Sequence, residues 1–212
     1  MIVAIDGPAG VGKSSIASQI ADEWSYFNLN SGNFYRAITL KSLQNGISID
    51  RKDKIIEIGE SCEIAIKDFR LHLDGNDVED LLHSDEIDAL VAQVSAIIPV
   101  RHIVNTKLRV ISKSLNIVAE GRDMTTVVFP DAEVKIFLDA SPEIRAKRRF
   151  DQGVSQLSYE EILDGIVKRD IIDRNKEEGS LKVSGDALYL DTSSLTLGQV
   201  CARVSGKIKE FQ

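Results

Sequence analysis

The segment MIVAIDGPAGVGKSS, residues 1–15, decides the fold of this chain. Residues 2–5 are small or β-branched and apolar, which is typical of a short buried strand. The glycine-rich stretch that follows, residues 7–14, has the spacing G-x-x-x-x-G-K-[ST]. The next segment, KSSIASQIADEW at residues 13–24, predicts a helix. The sequence therefore predicts a strand, a tight loop and a helix in direct succession.

This loop has the chemistry of a phosphate site. Its glycines allow a turn that points backbone N–H groups at an anion, and the helix dipole favours negative charge at the same place. Lys13 adds a mobile cation for the outer phosphates, and the Ser14 hydroxyl is the predicted Mg²⁺ ligand. The predicted ATP-binding residues are Gly7, Pro8, Ala9, Gly10, Val11, Gly12, Lys13, Ser14 and Ser15.

Length and composition narrow the class of protein. The chain has 212 residues, of which 43% are hydrophobic and 28% charged, as expected for one globular α/β domain. The 26 basic and 33 acidic residues give a net charge of −7. Because proteins that bind long nucleic acids usually carry a basic excess, we expect no nucleic-acid partner.

The cysteines and the apolar runs indicate the compartment. Cys62 and Cys201 lie far apart and form no C-x-x-C pair, which favours a reducing compartment without a cysteine metal site. Apolar runs stay below the 18 residues of a membrane helix, and the predicted site begins at residue 6. We therefore expect a cytoplasmic monomer that does not contact a membrane.

Strands and helices alternate along most of the chain, which predicts a parallel sheet with crossover helices. The exception is residues 45–80, where CEIAIKD and FRLHLDGNDV alternate with period two and predict a small antiparallel insertion. Further strands are predicted at residues 26–30, 116–121, 134–140 and 187–191. Further helices are predicted at residues 32–44, 84–96, 99–112, 141–152, 158–178 and 196–211, the last two with capping boxes.

A protein that binds nucleotide phosphates in such a loop could be a GTPase switch, a mechanical motor or a phosphotransferase. A GTPase switch would show D-x-x-G, which this sequence lacks, and its nearest base-reading motif is NKEE at residues 175–178. Large motors usually need a longer chain. A small-molecule kinase instead needs cations on several sides of the transferred phosphoryl group. RAKRR at residues 145–149 and KRDIIDRNK at residues 168–176 supply them, although such charges also occur on solvated helices.

Five segments carry a resemblance to a known family: IDGPAGVGKSS, SGNFYRA, EGRDMTTVVFPDAEVKIFLDAS, KRDIIDRNK and DALYLDTSSLT. In this order and over nearly the whole chain they resemble the bacterial cytidylate kinases. The resemblance implies a P-loop NTPase fold with a five-stranded parallel sheet, flanking helices, a lid and a small antiparallel insertion. It also implies Mg²⁺-assisted phosphoryl transfer from ATP to CMP or dCMP, giving ADP and CDP or dCDP.

The resemblance further implies how the chain is divided. We expect a single domain over residues 1–212. Its core would be residues 1–30, 114–142 and 186–212, its monophosphate-binding region residues 31–113, and its lid with the following helix residues 143–185.

The resemblance also implies functions for individual residues of this chain, wherever they match the motifs of the family. The implied CMP-binding residues are Ser31, Tyr35, Arg36, Arg101, Arg122, Asp123, Arg169, Asp173 and Lys176. The implied catalytic residues are Lys13, Arg36, Arg122, Arg145 and Arg169. Asp123 is expected to accept from the cytosine N4 amino group, a donor that uracil lacks. Asp173 is expected to face the ribose, and Asp139 is a second candidate Mg²⁺ ligand.

Four positions depart from the family pattern: Asn30, Ala92, Thr125 and Lys176 replace Asp, Ser, Gly and Arg respectively. Ala92 lacks the hydroxyl with which a serine would contact the sugar. Lys176 lacks the planar guanidinium with which an arginine makes two parallel hydrogen bonds. Two alternatives therefore stay open, a kinase of another pyrimidine monophosphate such as UMP and a nucleotide-binding protein without activity.

Overall fold

The computed structural model describes residues 1–67, 70–113, 115–153 and 155–211. In chain order, its strands and helices are β1 (Ile2–Asp6), α1 (Lys13–Trp24), β2 (Phe27–Asn30), α2 (Ser31–Gln44), α3 (Lys52–Ser61), β3 (Ile64–Lys67), β4 (Arg70–Leu73), β5 (Asn76–Asp77), α4 (Asp85–Val94), α5 (Ile98–Ser112), β6 (Ile117–Gly121), β7 (Val134–Asp139), α6 (Pro142–Asp151), α7 (Tyr159–Asn175), β8 (Leu188–Asp191) and α8 (Leu197–Lys209). A 3₁₀ turn at Glu79–Leu81 and a π-helical turn at Met124–Val128 complete the set.

The chain divides into two compact units. The first unit comprises Met1–Asn30 and Leu108–Gln212, and the second comprises Ser31–Lys107. The finer division into core, monophosphate-binding region and lid stays a prediction.

The first unit contains a five-stranded parallel sheet with the strand order β2-β6-β1-β7-β8. Strand β1 lies at its centre, where Ile5 pairs with Glu120 on one side and Ile136 on the other. Its apolar, β-branched residues suit a strand that is covered on both faces. Because all five strands run in one direction, the loops after β1, β6 and β7 leave the same edge of the sheet.

Helices α1 and α8 pack on this sheet. Ile16 and Ile20 of α1 join Val204 and Ile208 of α8 and the buried side chains of β1 in one apolar cluster. The spacing of four residues within each pair places both side chains on one helix face. This core fixes the start of α1 relative to the end of β1.

The second unit contains the antiparallel sheet β3-β4-β5 and four helical segments. Strands β3 and β4 pair with Ile66 opposite Leu71, and β4 and β5 pair with Leu73 opposite Asn76. Asp74, with φ of 51°, and Gly75 form the turn between β4 and β5, at the position predicted from the sequence. Helix α2 packs against α3 and α4.

Most predicted elements are confirmed. Helix α1 has its predicted bounds, and the capping boxes Ser158–Glu161 and Thr196–Gln199 are both present. The antiparallel insertion is confirmed for residues 64–67 and 70–77, but helix α3, within the predicted insertion, was not expected from the sequence. Helix α7 ends at Asn175, before the predicted residue 178. Five residues that these predictions include lie outside the described part of the chain: Asp68, Phe69, Ser114, Val154 and Gln212.

Across the described ranges, no single helix has both the length and the apolar character needed to cross a membrane. Helices α4 and α5 reach that threshold only when they are joined across a bend of 101°.

Candidate active site

The loop after β1, residues 7–12, depends on close contacts that require glycine. A Cβ atom on Gly7 would lie 2.3 Å from the carbonyl oxygen of Leu138, so a side chain there would push the loop away from β7. Gly10 has φ of 75°, and a Cβ atom on this residue would lie 3.3 Å from Cβ of Arg145. The loop is therefore held between the end of β7 and helix α6.

Lys13, the first residue of α1, folds back over this loop. Its Nζ donates to the carbonyl oxygens of Gly7 and Pro8, both at 2.8 Å. Burial and the positive charge of Arg122 hold the pKa of Lys13 well below its usual range, while Glu120 opposes this shift. The ammonium group thus lies in a site whose positive charge lacks full compensation, which an anion would supply.

Ser14 and Glu120 meet beside the loop. The hydroxyl of Ser14 donates to Oε2 of Glu120 at 2.9 Å. Glu120 lies near the end of β6, and the pairing of β6 with β1 brings it to the start of α1. Asp139 ends β7 but accepts from Tyr189 Oη and from its neighbour Ala140 N, both at 2.9 Å. Glu120 is therefore the carboxylate next to the predicted metal ligand.

A cluster of cations surrounds Asp173 of α7, whose side chain is 2% exposed. Nε of Arg122 donates to Oδ2 and Nζ of Lys176 to Oδ1, both at 2.7 Å, and Nε of Arg169 lies 3.9 Å from Oδ2. Burial raises the pKa of Asp173, but the charges of Arg122, Lys176 and Arg169 outweigh burial and hold it well below its usual range. The structure thus brings four predicted site residues together. We call Arg122, Arg169, Asp173 and Lys176 the cation cluster.

Asp123 follows Arg122 and begins the π-helical turn. It is 2% exposed, and its carbonyl oxygen accepts from the backbone N–H groups of Val127 and Val128. The turn is tied to β1, because the carboxylate of Asp6 accepts from the backbone of Met124 and Thr125 and from the Thr125 hydroxyl. Burial raises the pKa of Asp6 to about 6, against the lowering effect of these hydrogen bonds.

Arg145 of α6, which the sequence predicts to be catalytic, is 1% exposed. Its guanidinium donates to the carbonyl oxygens of Ala140 and Ala9, each at 2.9 Å, and to both carboxylate oxygens of Asp170 on α7. Arg148, one turn nearer the helix C-terminus, donates to the carbonyl oxygens of Val11 and Thr192. The catalytic role of Arg145 stays a prediction, and its contacts link the loop to α6 and α7.

The second unit holds the other predicted residues, Ser31, Tyr35 and Arg36 on α2 and Arg101 on α5. Nη2 of Arg36 donates to Asp88 of α4 at 2.9 Å. The guanidinium of Arg101 lies over the ring of Tyr35, 5.8 Å from its centroid, and donates to the carbonyl oxygen of Ser95 at 2.9 Å. Helices α2, α4 and α5 thus orient these side chains within the unit.

Position 92, one of the departures from the family pattern, also lies in this unit, on α4. Ala92 of α4 is 4% exposed, and its carbonyl oxygen accepts from the hydroxyl of Ser95 at 2.9 Å. Because that hydroxyl donates to the helix backbone, it does not simply replace the one that Ala92 lacks.

Sequence reasoning identified the cations but missed four carboxylates. Asp88 and Asp170 pair with arginines, whereas Asp6 and Glu120 accept from Thr125 and Ser14. Two of them had a usable signal. Asp6 directly precedes the glycine-rich loop, and Glu120 directly precedes the Gly-Arg-Asp segment at residues 121–123. Asp88 and Asp170 lie on helices among other acidic residues, so their partners emerge only from the fold.

Comparisons with known proteins identify the family of this chain. The family described as Cytidylate kinase matches residues 3–210. A cytidylate kinase of Caldanaerobacter subterraneus is 39% identical over 98% of this chain and 94% of its own length. A cytidylate kinase of Thermodesulfovibrio yellowstonii is 40% identical over 99% and 98%, and one of Clostridium perfringens is 36% identical over 98% and 97%.

A solved structure extends the comparison to the fold. The shikimate kinase from Bacteroides thetaiotaomicron superposes with a TM-score of 0.54 at 9% identity, over 99% of this chain and 98% of its own. At that identity the likeness concerns the fold alone. The family match and the near-complete alignment with relatives at about 40% identity decide the assignment: the chain belongs to the cytidylate kinase family.

Proposed function

We propose that this protein transfers a phosphoryl group from ATP to CMP or dCMP, giving ADP and CDP or dCDP. The observation that carries the proposal is the cation cluster in the same unit as Lys13 and its loop, with Arg122 close enough to lower the pKa of Lys13. Phosphoryl transfer depends on positioning and on charge stabilisation, and concentrated buried cations supply both. Action as a monomer in the cytoplasm stays a prediction.

Lys13 binds phosphate oxygens of ATP, the phosphoryl donor. Phosphate oxygens of ATP would oppose the lowering of its pKa by burial, Arg122 and Arg169, so the ammonium form is favoured when the nucleotide binds. Its Nζ then exchanges the carbonyl oxygens of Gly7 and Pro8 for phosphate oxygens. The N-terminus of α1 adds backbone N–H donors at the same place.

Arg36 and Asp123 serve the acceptor. A CMP phosphate competes with Asp88 for the guanidinium of Arg36, so Asp88 holds that side chain ready without neutralising it permanently. Asp123 accepts from the cytosine N4 amino group and rejects the carbonyl oxygen that uracil has there. This role is supported by its burial next to Arg122.

Membership of the family implies a divalent metal, and we propose Mg²⁺. Ser14 and Glu120 offer hard oxygen atoms held 2.9 Å apart by their hydrogen bond, which fits that ion. Throughout the described residues, no three His, Cys, Asp or Glu side chains form a metal-binding group. When bound, Mg²⁺ would neutralise phosphate charge. Ser14 would orient it, and Glu120 would hold Ser14.

Arg145 is better assigned to support of the loop. Its donors are directed at Ala9, Ala140 and Asp170, so releasing it toward a substrate would leave Asp170 partly buried without its main cation. We therefore propose that Lys13, Arg36, Arg122 and Arg169 contact the transferred group and that Arg145 holds the loop in shape.

One assay tests the function. ADP formation is followed with CMP, dCMP, UMP and AMP as acceptors, with ATP and Mg²⁺ saturating. We expect CMP and dCMP to give the highest kcat/KM, and a Lys13→Ala variant with an unchanged circular dichroism spectrum to be nearly inactive. Faster turnover with UMP than with CMP would contradict the acceptor, and no turnover with any monophosphate would contradict the transfer itself.

A further inference from the structure

The carboxylate of Asp6 is one of the most completely buried charged groups of the first unit, with 0% exposure. Its Oδ1 accepts from Met124 N at 2.8 Å, and its Oδ2 accepts from Thr125 N at 2.8 Å and Thr125 Oγ1 at 2.6 Å. Three donors within hydrogen-bonding distance compensate a buried carboxylate only if their geometry is maintained.

The hydrogen bonds of the Asp6 carboxylate lie at the carboxyl ends of β1 and β6, at the last paired residues of these strands. The pairing of β1 with β6 stops at Asp6 and Gly121, beyond which the strands have no further backbone pairs with each other. The π-helical turn starts three residues later, and the first N–H groups of a helical turn have no partner within it. Asp6 takes two of them and so continues the connection between the two strands past the last pair.

Two segments that contain predicted site residues lie directly next to this connection between β1 and the turn. Gly7, the next residue after Asp6, accepts from Lys13 Nζ. Arg122 and Asp123 lie in the short stretch between Gly121 and the turn that Asp6 holds. A displacement of Thr125 therefore moves Asp123 and Arg122 relative to Lys13.

Thr125 contributes a side-chain donor in addition to its backbone N–H. Its hydroxyl makes the shortest of the three bonds to Asp6. At 1% exposure, Thr125 has no access to solvent that could take over this bond.

We propose that Asp6 and Thr125 are positioning residues that set Arg122 and Asp123 for the acceptor nucleotide, with the Thr125 hydroxyl as the part that sharpens acceptor selection in this chain. The inference rests on the proposed phosphorylation of CMP. A purely structural pair would affect the stability of the fold and leave the kinetic constants of folded enzyme unchanged. A positioning pair raises KM for the acceptor and lowers the CMP:UMP ratio of kcat/KM, while KM for ATP stays the same.

The test compares Thr125→Val, which removes the hydroxyl at nearly constant shape, with Thr125→Ser, which keeps it. A matched control is Ser205→Ala, because Ser205 is also buried and donates to a carboxylate, that of Glu23 on α1. We expect Thr125→Val to raise KM for CMP and to reduce the CMP:UMP ratio, each by about 3- to 10-fold. Thr125→Ser should restore both, and Ser205→Ala should lower the melting temperature without changing either.

A second measurement keeps the inference independent of activity. Amide hydrogen exchange over residues 122–129 should speed up in Thr125→Val and not in Ser205→Ala. If Thr125→Val does not fold, Thr125→Ala takes its place. An inactive parent enzyme would overturn the proposed function, and the exchange data would still test the connection. Unchanged exchange, or an unchanged CMP:UMP ratio in an active Thr125→Val enzyme, would overturn the positioning role.

Discussion

Replacing Asp173 with Asn tests the centre of the cation cluster. The change keeps the shape of the side chain but removes the charge that pairs with Nζ of Lys176 and Nε of Arg122 at 2.7 Å. Lys176 has a side-chain exposure of 2%, so water cannot take over the role of the carboxylate. Breaking one side of such a buried pair typically costs about 3–5 kcal/mol of folding free energy.

We expect the lower end of this range, about 3 kcal/mol, because the partly exposed Arg122 can turn toward solvent. Urea unfolding at pH 7 measures the loss. With a slope of about 2 kcal/mol/M, the midpoint should fall by about 1.5 M and the slope should not change. Adding Lys176→Met to Asp173→Asn should recover most of the loss, since the buried charge that Asp173 compensates is then absent.

A control and a pH series complete this test. Asp164 pairs with Lys168 on the exposed side of the same helix, and Asp164→Asn should change stability by less than about 0.5 kcal/mol. The pKa of Asp173 is lowered by folding, so its stabilisation is present above about pH 4 and is lost as the pH falls further. The parent and Asp173→Asn should therefore converge in acid. Equal midpoints for Asp173→Asn and Asp164→Asn at pH 7 would refute the reasoning.

The remaining predictions concern the donor, the base, the sugar and a buried acid. Lys13→Ala should lower kcat by about a thousandfold with an unchanged circular dichroism spectrum, since the lost charge acts where water is excluded; near-normal turnover at saturating ATP would contradict the assigned role. Asp123→Asn should reduce the CMP:UMP ratio of kcat/KM by at most about 100-fold, and an unchanged ratio would indicate that Asp123 only supports its turn. Ala92→Ser should shift the CMP:dCMP ratio of kcat/KM, measured with both acceptors at one ATP concentration. The pKa of Asp6 rises on folding from 3.8 to about 6, so the folded state keeps this proton longer and stability should fall by about 3 kcal/mol as the pH rises through that interval. Urea midpoints between pH 4 and pH 7 should show this slope in the parent and not in Asp6→Asn.

Much of the fold follows from local signals that the sequence contains. The spacing of residues 7–14 predicts a strand, a loop and a helix with bounds that the structure confirms, and continuous apolar runs predict β6 and β7. Helix α3 was missed because its ten residues adjoin segments that alternate strongly with period two. Gly59 within it lies close to Ile103 and Ile38, a contact that only the folded unit reveals.

The candidate site also has a part that the sequence predicts and a part that only the folded structure reveals. The cations could be identified because the family pattern fixes their positions, but what each one contacts depends on residues far away in sequence. Arg145 and Asp170 are 25 residues apart, and Asp6 and Thr125 are 119 apart. Spacing on a helix shows that Arg145, Arg148 and Arg149 share a face, but it cannot show that loop carbonyl oxygens lie opposite two of them. Only the tertiary structure separates an arginine that holds the loop from one that faces the substrate.

Helix α7 presents Asp170 and Asp173 one turn apart, the first to Arg145 under the loop and the second to the cation cluster. A shift of this helix therefore changes the two groups of residues together, one on the donor side and one on the acceptor side. If ATP binding shifts this helix, it also alters the affinity for the monophosphate, and thermodynamic linkage requires the reverse effect to be equal. The affinities for the two substrates are thus expected to be coupled through Asp170 and Asp173 of one helix.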